Sequence, residues 1–148
     1  MNEQNKSDLR HRTKAYALRI IRLYSSLPRK TEAQVLGKQL RRSGTSVGSH
    51  YREAKRARST AEFVSKIEGG IQELEETVYW LELLADAGIV RAPLLHDLFR
   101  ESEELTAILV ASVKTAKKSG ERSVHRSALR VPRLESWCWR GELNPHAG

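Results

Sequence analysis

TEAQVLGKQLRRSGTSVGSHYREAKRAR, residues 31–58, holds the choice between two short helices and one long one. Its middle, Ser43 to Ser49, has poor helix propensity, and Gly44 and Gly48 each cost roughly 1 kcal/mol relative to alanine. Taken locally the segment reads as a loop. Periodicity argues otherwise. At about 100° per residue with Leu36 at zero, Leu40, Ser43, Val47, Tyr51 and Ala54 fall within roughly 40° of one direction. On the same wheel Lys38, Arg41, Arg42, Arg52, Lys55 and Arg56 fall between roughly 100° and 240°. The two sides of the glycines keep one phase only if the helix is unbroken. One helix from Thr31 to about Arg58 is therefore the reading, and a break near Gly44 is its competitor. Thr31 and Gln34 form a Thr-x-x-Gln capping box at its start.

The flanking segments are helical by the same criterion. Upstream, Tyr16, Ile20, Leu23 and Leu27 recur at helical spacing from about Asp8 onward, widened by Ala17, Ile21 and Tyr24. Pro28 ends that helix. Downstream, Ser59 and Glu62 form a second capping box. Phe63, Ile67, Gly70 or Ile71, Leu74, Val78, Leu81 and Ala85 follow as an apolar stripe, and Gly88 sits where a left-handed residue closes a helix. A fourth helix opens at Ala92-Pro93, proline being tolerated in a first turn. Its face is Leu95, Leu98, Ser102, Leu105, Leu109 or Ile108, Val113 and Ala116. Lys114, Lys117 and Lys118 fall in its expected last turn, where cations suit the helix dipole, and Ser119-Gly120 is the expected stop.

Four helices with short connections predict an all-α fold, an antiparallel up-down-up-down four-helix bundle over residues 8–118. Residues 119–148 carry two prolines and no sustained period, so a disordered basic tail is expected there. Within it, residues 137–146 (WCWRGELNPH) resemble peptides made when a reading frame runs antisense through the T-arm of a transfer-RNA gene. That resemblance implies a non-native extension of the frame.

The 148 residues are 39% hydrophobic and 30% charged, with no apolar run long enough to span a membrane. A polar N-terminus without an apolar core argues against a secretory signal, and the single Cys138 fits a reducing cytoplasm. No catalytic constellation stands out, and no cofactor is expected. Glu-x-x-His is absent, His11, His50, His96, His125 and His146 are scattered, and Gly44-x-x-x-Gly48 lacks the ending of a P-loop. The Glu73, Glu75 and Glu76 cluster reads as a solvated face. His50, at the edge of the apolar stripe, reads as a half-buried structural histidine, and the aromatic residues Tyr16, Tyr24, Tyr51, Phe63, Tyr79 and Trp80 as packing.

Charge is where the chain departs from an ordinary bundle. The net is +8 overall, but residues 10–58 carry fourteen Lys/Arg against Glu32 and Glu53, a net of +12. Residues 59–109 carry eleven Asp/Glu against Lys66, Arg91 and Arg100, a net of −8. Either the two halves attract each other within the bundle, or the basic half is a footprint for a polyanion. Six cations on one side of one helix, Lys38, Arg41, Arg42, Arg52, Lys55 and Arg56, form the candidate nucleic-acid-binding surface. Arg10, Arg12, Lys14, Arg19 and Arg22 are candidates to extend it.

Ser46-Val47-Gly48-Ser49-His50-Tyr51-Arg52-Glu53-Ala54, Arg56-Ala57-Arg58-Ser59-Thr60-Ala61-Glu62-Phe63 and Tyr79-Trp80-Leu81-Glu82-Leu83-Leu84 together resemble the family of proteins encoded within 23S ribosomal-RNA intervening sequences. The similarity covers about residues 10–118. The branch it looks like reads Gly-Ala-Asn-Tyr-Arg-Glu-Ala at the first stretch, and here Ser49 and His50 replace Ala and Asn. The resemblance implies an antiparallel four-helix bundle assembled into pentameric rings, with no catalytic residues to carry over. Related bundles associate with a reverse transcriptase and nucleic acid. The leading expectation is a cytoplasmic homo-oligomer that binds RNA or DNA without catalysis. The alternative is a protein–protein scaffold that touches no nucleic acid.

Overall fold

Helical periodicity becomes four helices in a computed structural model that describes the backbone of residues 3–128 and the side chains of residues 8–123. They are α1 (Glu3–Ser26), α2 (Thr31–Lys55), α3 (Thr60–Asp86) and α4 (Ala92–Ala128). Facing residues give the directions. Along α1 and α2, Thr13 meets Gly48, Ile20 meets Gly44 and Leu27 meets Gly37. Between α2 and α3, Glu53 meets Lys66 and Ser43 meets Thr77. Between α3 and α4, Thr60 meets Gly120 and Gly70 meets Leu109. Arg12 and Tyr16 of α1 meet Glu104 and Ser102 of α4. One number rises as the other falls in the α1–α2, α2–α3 and α3–α4 pairs, so consecutive helices are antiparallel. The α4 helix therefore runs opposite to α1, and the contacts of Arg12 and Tyr16 close the four helices into a ring.

The α2 helix runs unbroken through Gly44 and Gly48. A Cβ at Gly44 would lie 2.8 Å from Ile20 Cγ1, and one at Gly37 would lie 2.6 Å from Leu27 Cδ1. The glycines are thus where α1 comes closest, and close packing outweighs their poor propensity. Leu40, Ser43, Val47, Tyr51 and Ala54 are buried as expected, and Ala33, Gly37 and Gly44 join them on the α1 side. Leu36 is only partly buried.

A polar layer crosses the core with one side chain from each helix. The Tyr16 hydroxyl and Ser102 Oγ share a hydrogen bond of 2.6 Å, and Thr77 Oγ1 donates to Ser43 Oγ at 2.9 Å. All four residues are buried. Burial pushes the Tyr16 phenol up to about 12, a shift that its hydrogen bond with Ser102 partly offsets. Apolar layers lie on either side, with Ile20, Leu40, Leu74, Leu81, Leu98 and Leu105 among the buried residues.

Several local expectations are corrected. The Thr31–Gln34 capping box does not form. Lys30 is the N-cap without a side-chain bond, because Gln34 Nε2 donates to Pro28 O at 3.0 Å and Gln34 Oε1 accepts from Tyr24. The Ser59 box does form on one arm, Glu62 N–H donating to Ser59 Oγ at 3.1 Å, while the Glu62 carboxylate accepts from Arg58 N–H instead of Ser59 N–H. Gly88, at φ +70°, closes α3, with its N–H on Ala85 O and the Ile89 N–H on Leu84 O. Thr77 takes the core position expected for Val78, and Tyr79 is 53% exposed. The α1 helix starts at Glu3 instead of Asp8, and α2 ends at Lys55 with Arg56 as its C-cap. The α4 helix does not stop at Ser119-Gly120 but continues to Ala128. The rest of the expected tail, residues 129–148, lies outside the described residues.

Candidate nucleic-acid interface

Lys38, Arg41, Arg42, Arg52, Lys55 and Arg56 are all exposed, as a stripe opposite the buried face of α2 must be. Their surroundings divide them. Arg41 lies over the Tyr24 ring, 4.6 Å from its centroid, and Lys55 over the Tyr51 ring at 5.8 Å. Such contacts hold a cation in place while leaving its charge unneutralised. Arg42 is different, because it turns toward α3 and pairs with Glu73 at 3.4 Å and with Glu76. Lys38 and Arg52 make no ion pair among the described residues. Arg56 lines a hollow with Glu53, Arg58, Glu62 and Lys66. The acids there are engaged. Glu53 pairs with Lys66 at 2.8 Å, which holds its carboxyl below the usual range and raises Lys66, and Glu62 accepts from Arg58 N–H.

The first helix contributes less than expected. Arg12 turns the other way, giving Glu101 two hydrogen bonds at 3.0 and 2.9 Å and Glu104 one at 2.7 Å. These carboxylates raise the Arg12 pKa further and tie α1 to α4. Lys14 does join the α2 face. It lines a cleft of about 320 Å³ between α1 and α2 with Thr13, Ala17, Thr45, Gly48, Ser49 and Arg52. No lining residue is acidic. Thr13 Oγ1 and Thr45 Oγ1 donate to their own helix carbonyls, Leu9 O and Arg41 O, at 2.8 Å each. The cleft therefore offers two unpaired cations, Lys14 and Arg52, from two helices. A phosphate oxygen placed there could accept from both.

Of the fourteen cations in residues 10–58, only Arg12 and Arg42 pair with a carboxylate of the described residues, which leaves twelve without one. Attraction between the halves of the bundle accounts for two cations and not for the rest. His50 is half-buried beside Gly69, its Nε2 3.8 Å from Glu73 Oε1 and its Nδ1 buried with no hydrogen-bond partner among the described residues. It is less fully satisfied than a structural histidine was expected to be. Among the described residues no three His, Cys, Asp or Glu side chains are grouped to hold a metal ion, and no helix is long and apolar enough to cross a membrane.

Comparison with known proteins agrees with this architecture. A family model described as 23S rRNA-intervening sequence protein matches residues 5–111. Among solved structures, a protein of unknown function from the S23 ribosomal protein family of Bacteroides thetaiotaomicron VPI-5482 is 33% identical. The match covers 74% of this chain and 97% of that one, with a TM-score of 0.70. No curated protein matches the chain.

Proposed function

The chain belongs to the 23S rRNA-intervening sequence protein family, and from that premise we propose that it binds nucleic acid, without catalysis, through the basic surface of α1 and α2. The observation that carries the proposal is the acid-free cleft between Lys14 and Arg52, continued by Lys38, Arg41, Lys55 and Arg56. Such a surface gains affinity by releasing counterions from phosphates and reads no base sequence. A filter-binding titration of single-stranded RNA across salt concentrations tests it. Affinity should fall steeply with salt, by about 0.7 in log–log slope for each phosphate engaged. Arg41→Glu with Arg52→Glu should weaken binding, whereas Arg42→Glu should do so less, since Arg42 is already neutralised by Glu73 and Glu76. No binding at low salt, or variants that bind as well as the native chain, would refute the reading.

Homo-oligomerisation in the cytoplasm, as a pentameric ring, is part of the same proposal. It is supported by the exposed apolar side chains Leu18, Ile21, Val35, Tyr79 and Leu94, the last 73% exposed. Those residues also favour the second reading, a protein–protein scaffold with no nucleic-acid contact. Light scattering gives the subunit number, and the ratio of absorbance at 260 and 280 nm of the purified protein separates the readings. Copurifying nucleic acid supports the first, and its absence together with ring assembly supports the second.

A further inference from the structure

Lys114, Lys117 and Lys118 have an obvious explanation only if α4 ends beside them, where cations complement the helix dipole. It does not end there. The helix continues to Ala128, ten residues beyond Lys118, while the dipole effect fades within about one turn. Lys117 has a partner, Glu68 of α3 at 3.4 Å. Lys114, Lys118 and Arg122 have none among the described residues, and all three are exposed. They stand four residues apart, so they share one face of the helix with about 6 Å between successive positions.

Along α4 itself that face is nearly free of acid, and the neighbouring α1 brings Asp8 to a hollow lined by Ala111 and Thr115. Ala107 and Ala111 precede Lys114 on the α4 face, and the next acid back along the same side is Glu103, about 16 Å away along the axis. Glu121 is the one acid between Lys114 and Arg122. Gly120 lies against Thr60, the first residue of α3, so residues 121–128 reach about 12 Å past the start of that helix. Arg58, in the turn from α2 to α3, shares a hollow with Ala116 and Ser119 of α4. Arg56 and Arg58 thus bring positive charge to this end of the bundle, while Lys118 and Arg122 stand on the solvent side of α4, turned away from Ala116 and Ser119. The family model stops at residue 111, so the stripe lies beyond the part of the chain that it matches.

We propose that Lys114, Lys118 and Arg122 form a second phosphate-binding surface, which engages a nucleic-acid strand as it leaves the α1–α2 face and rounds the end of the bundle. This rests on the ligand being nucleic acid, and it adds contacts on the helix diagonally opposite α2. The test compares three full-length proteins binding a fluorescent 30-nucleotide single-stranded RNA of mixed sequence across salt concentrations. They are the native chain, Lys114→Gln/Lys118→Gln/Arg122→Gln, and Arg41→Glu/Arg52→Glu. Glutamine keeps helix propensity close to that of lysine and arginine, and circular dichroism melting confirms that the fold is retained. The α4 variant should bind at least tenfold more weakly at low salt, with a log–log salt slope smaller by about 2, three contacts at about 0.7 each. If it matches the native chain in affinity and slope while the α2 variant loses binding, this inference is overturned and the α1–α2 reading stands. If the α4 variant alone loses binding, the strand lies on α4 without the α1–α2 face, and the α1–α2 reading and the path proposed here both fall. If the native chain binds no RNA, both fall.

Discussion

Replacing Gly44 by alanine should weaken the fold, even though alanine is the better helix former. The new methyl would lie 2.8, 2.9 and 3.2 Å from Cγ1, Cγ2 and Cβ of Ile20, a side chain with 0% exposure that has nowhere to swing. Overpacking of this kind costs about 1–3 kcal/mol, and alanine returns about 1 kcal/mol through helix propensity. The net is a loss of about 0–2 kcal/mol. Gly70→Ala supplies the control, since its methyl would meet neighbours only at 3.6 Å and beyond, so it keeps the propensity gain. The propensity contribution cancels between the two variants, leaving a gap of about 1–3 kcal/mol from packing alone. Urea unfolding followed by circular dichroism measures that gap. Equal midpoints, or a Gly44→Ala protein more stable than Gly70→Ala, would refute the idea that α2 is continuous because α1 packs into its glycines.

The polar layer makes a pH prediction. Burial favours the neutral Tyr16 phenol and raises it from 10.0 to about 12, so the folded state holds its proton where the unfolded chain has released it. Its contribution is full below pH 10 and is lost between pH 10 and 12, by about 3 kcal/mol. Tyr16→Phe should lose about 1 kcal/mol at pH 7 and flatten that alkaline decline, as read by urea midpoints at pH 8, 10 and 11. Arg12→Ala should cost about 1–3 kcal/mol, because Arg12 is 25% exposed and bonds Glu101 at two points of 3.0 and 2.9 Å. Arg42, 50% exposed and 3.4 Å from Glu73, should cost under about 1 kcal/mol on the same change. Ser59→Ala should cost about 1 kcal/mol by freeing the Glu62 amide, again read from urea midpoints.

Periodicity carried most of the architecture in advance. The phase shared by Leu40, Ser43, Val47, Tyr51 and Ala54 overrode the local preference of the glycines, and Ser43 and Ser102 were legible as core despite their polarity. Thr77 was legible too, in the 74, 77, 81, 84 series, had Val78 not been favoured for its apolar side chain. What lay beyond reading depends on partners far away in the chain. Arg12 and Arg42 look like members of a basic face on their own helices, yet their carboxylates lie 89 to 92 and 31 to 34 residues further on. Gln34 left its capping role for Tyr24 and the Pro28 carbonyl, and the helix runs on through Ser119-Gly120, where Gly120 lies beside Thr60. The cleft that joins Lys14 to Arg52 needs two helices in register, which no single-helix wheel displays.

Cross-linking a 4-thiouridine-substituted RNA to the native protein, with the attached peptides identified by mass spectrometry, asks directly whether the cationic side of the bundle is where a strand lies. Adducts concentrated in residues 14–22 and 38–56, with further ones at 114–122 where the strand reaches α4, are the expected result. Adducts confined to the acidic α3 surface around Glu68 to Glu76, or none under low-salt conditions, would contradict it.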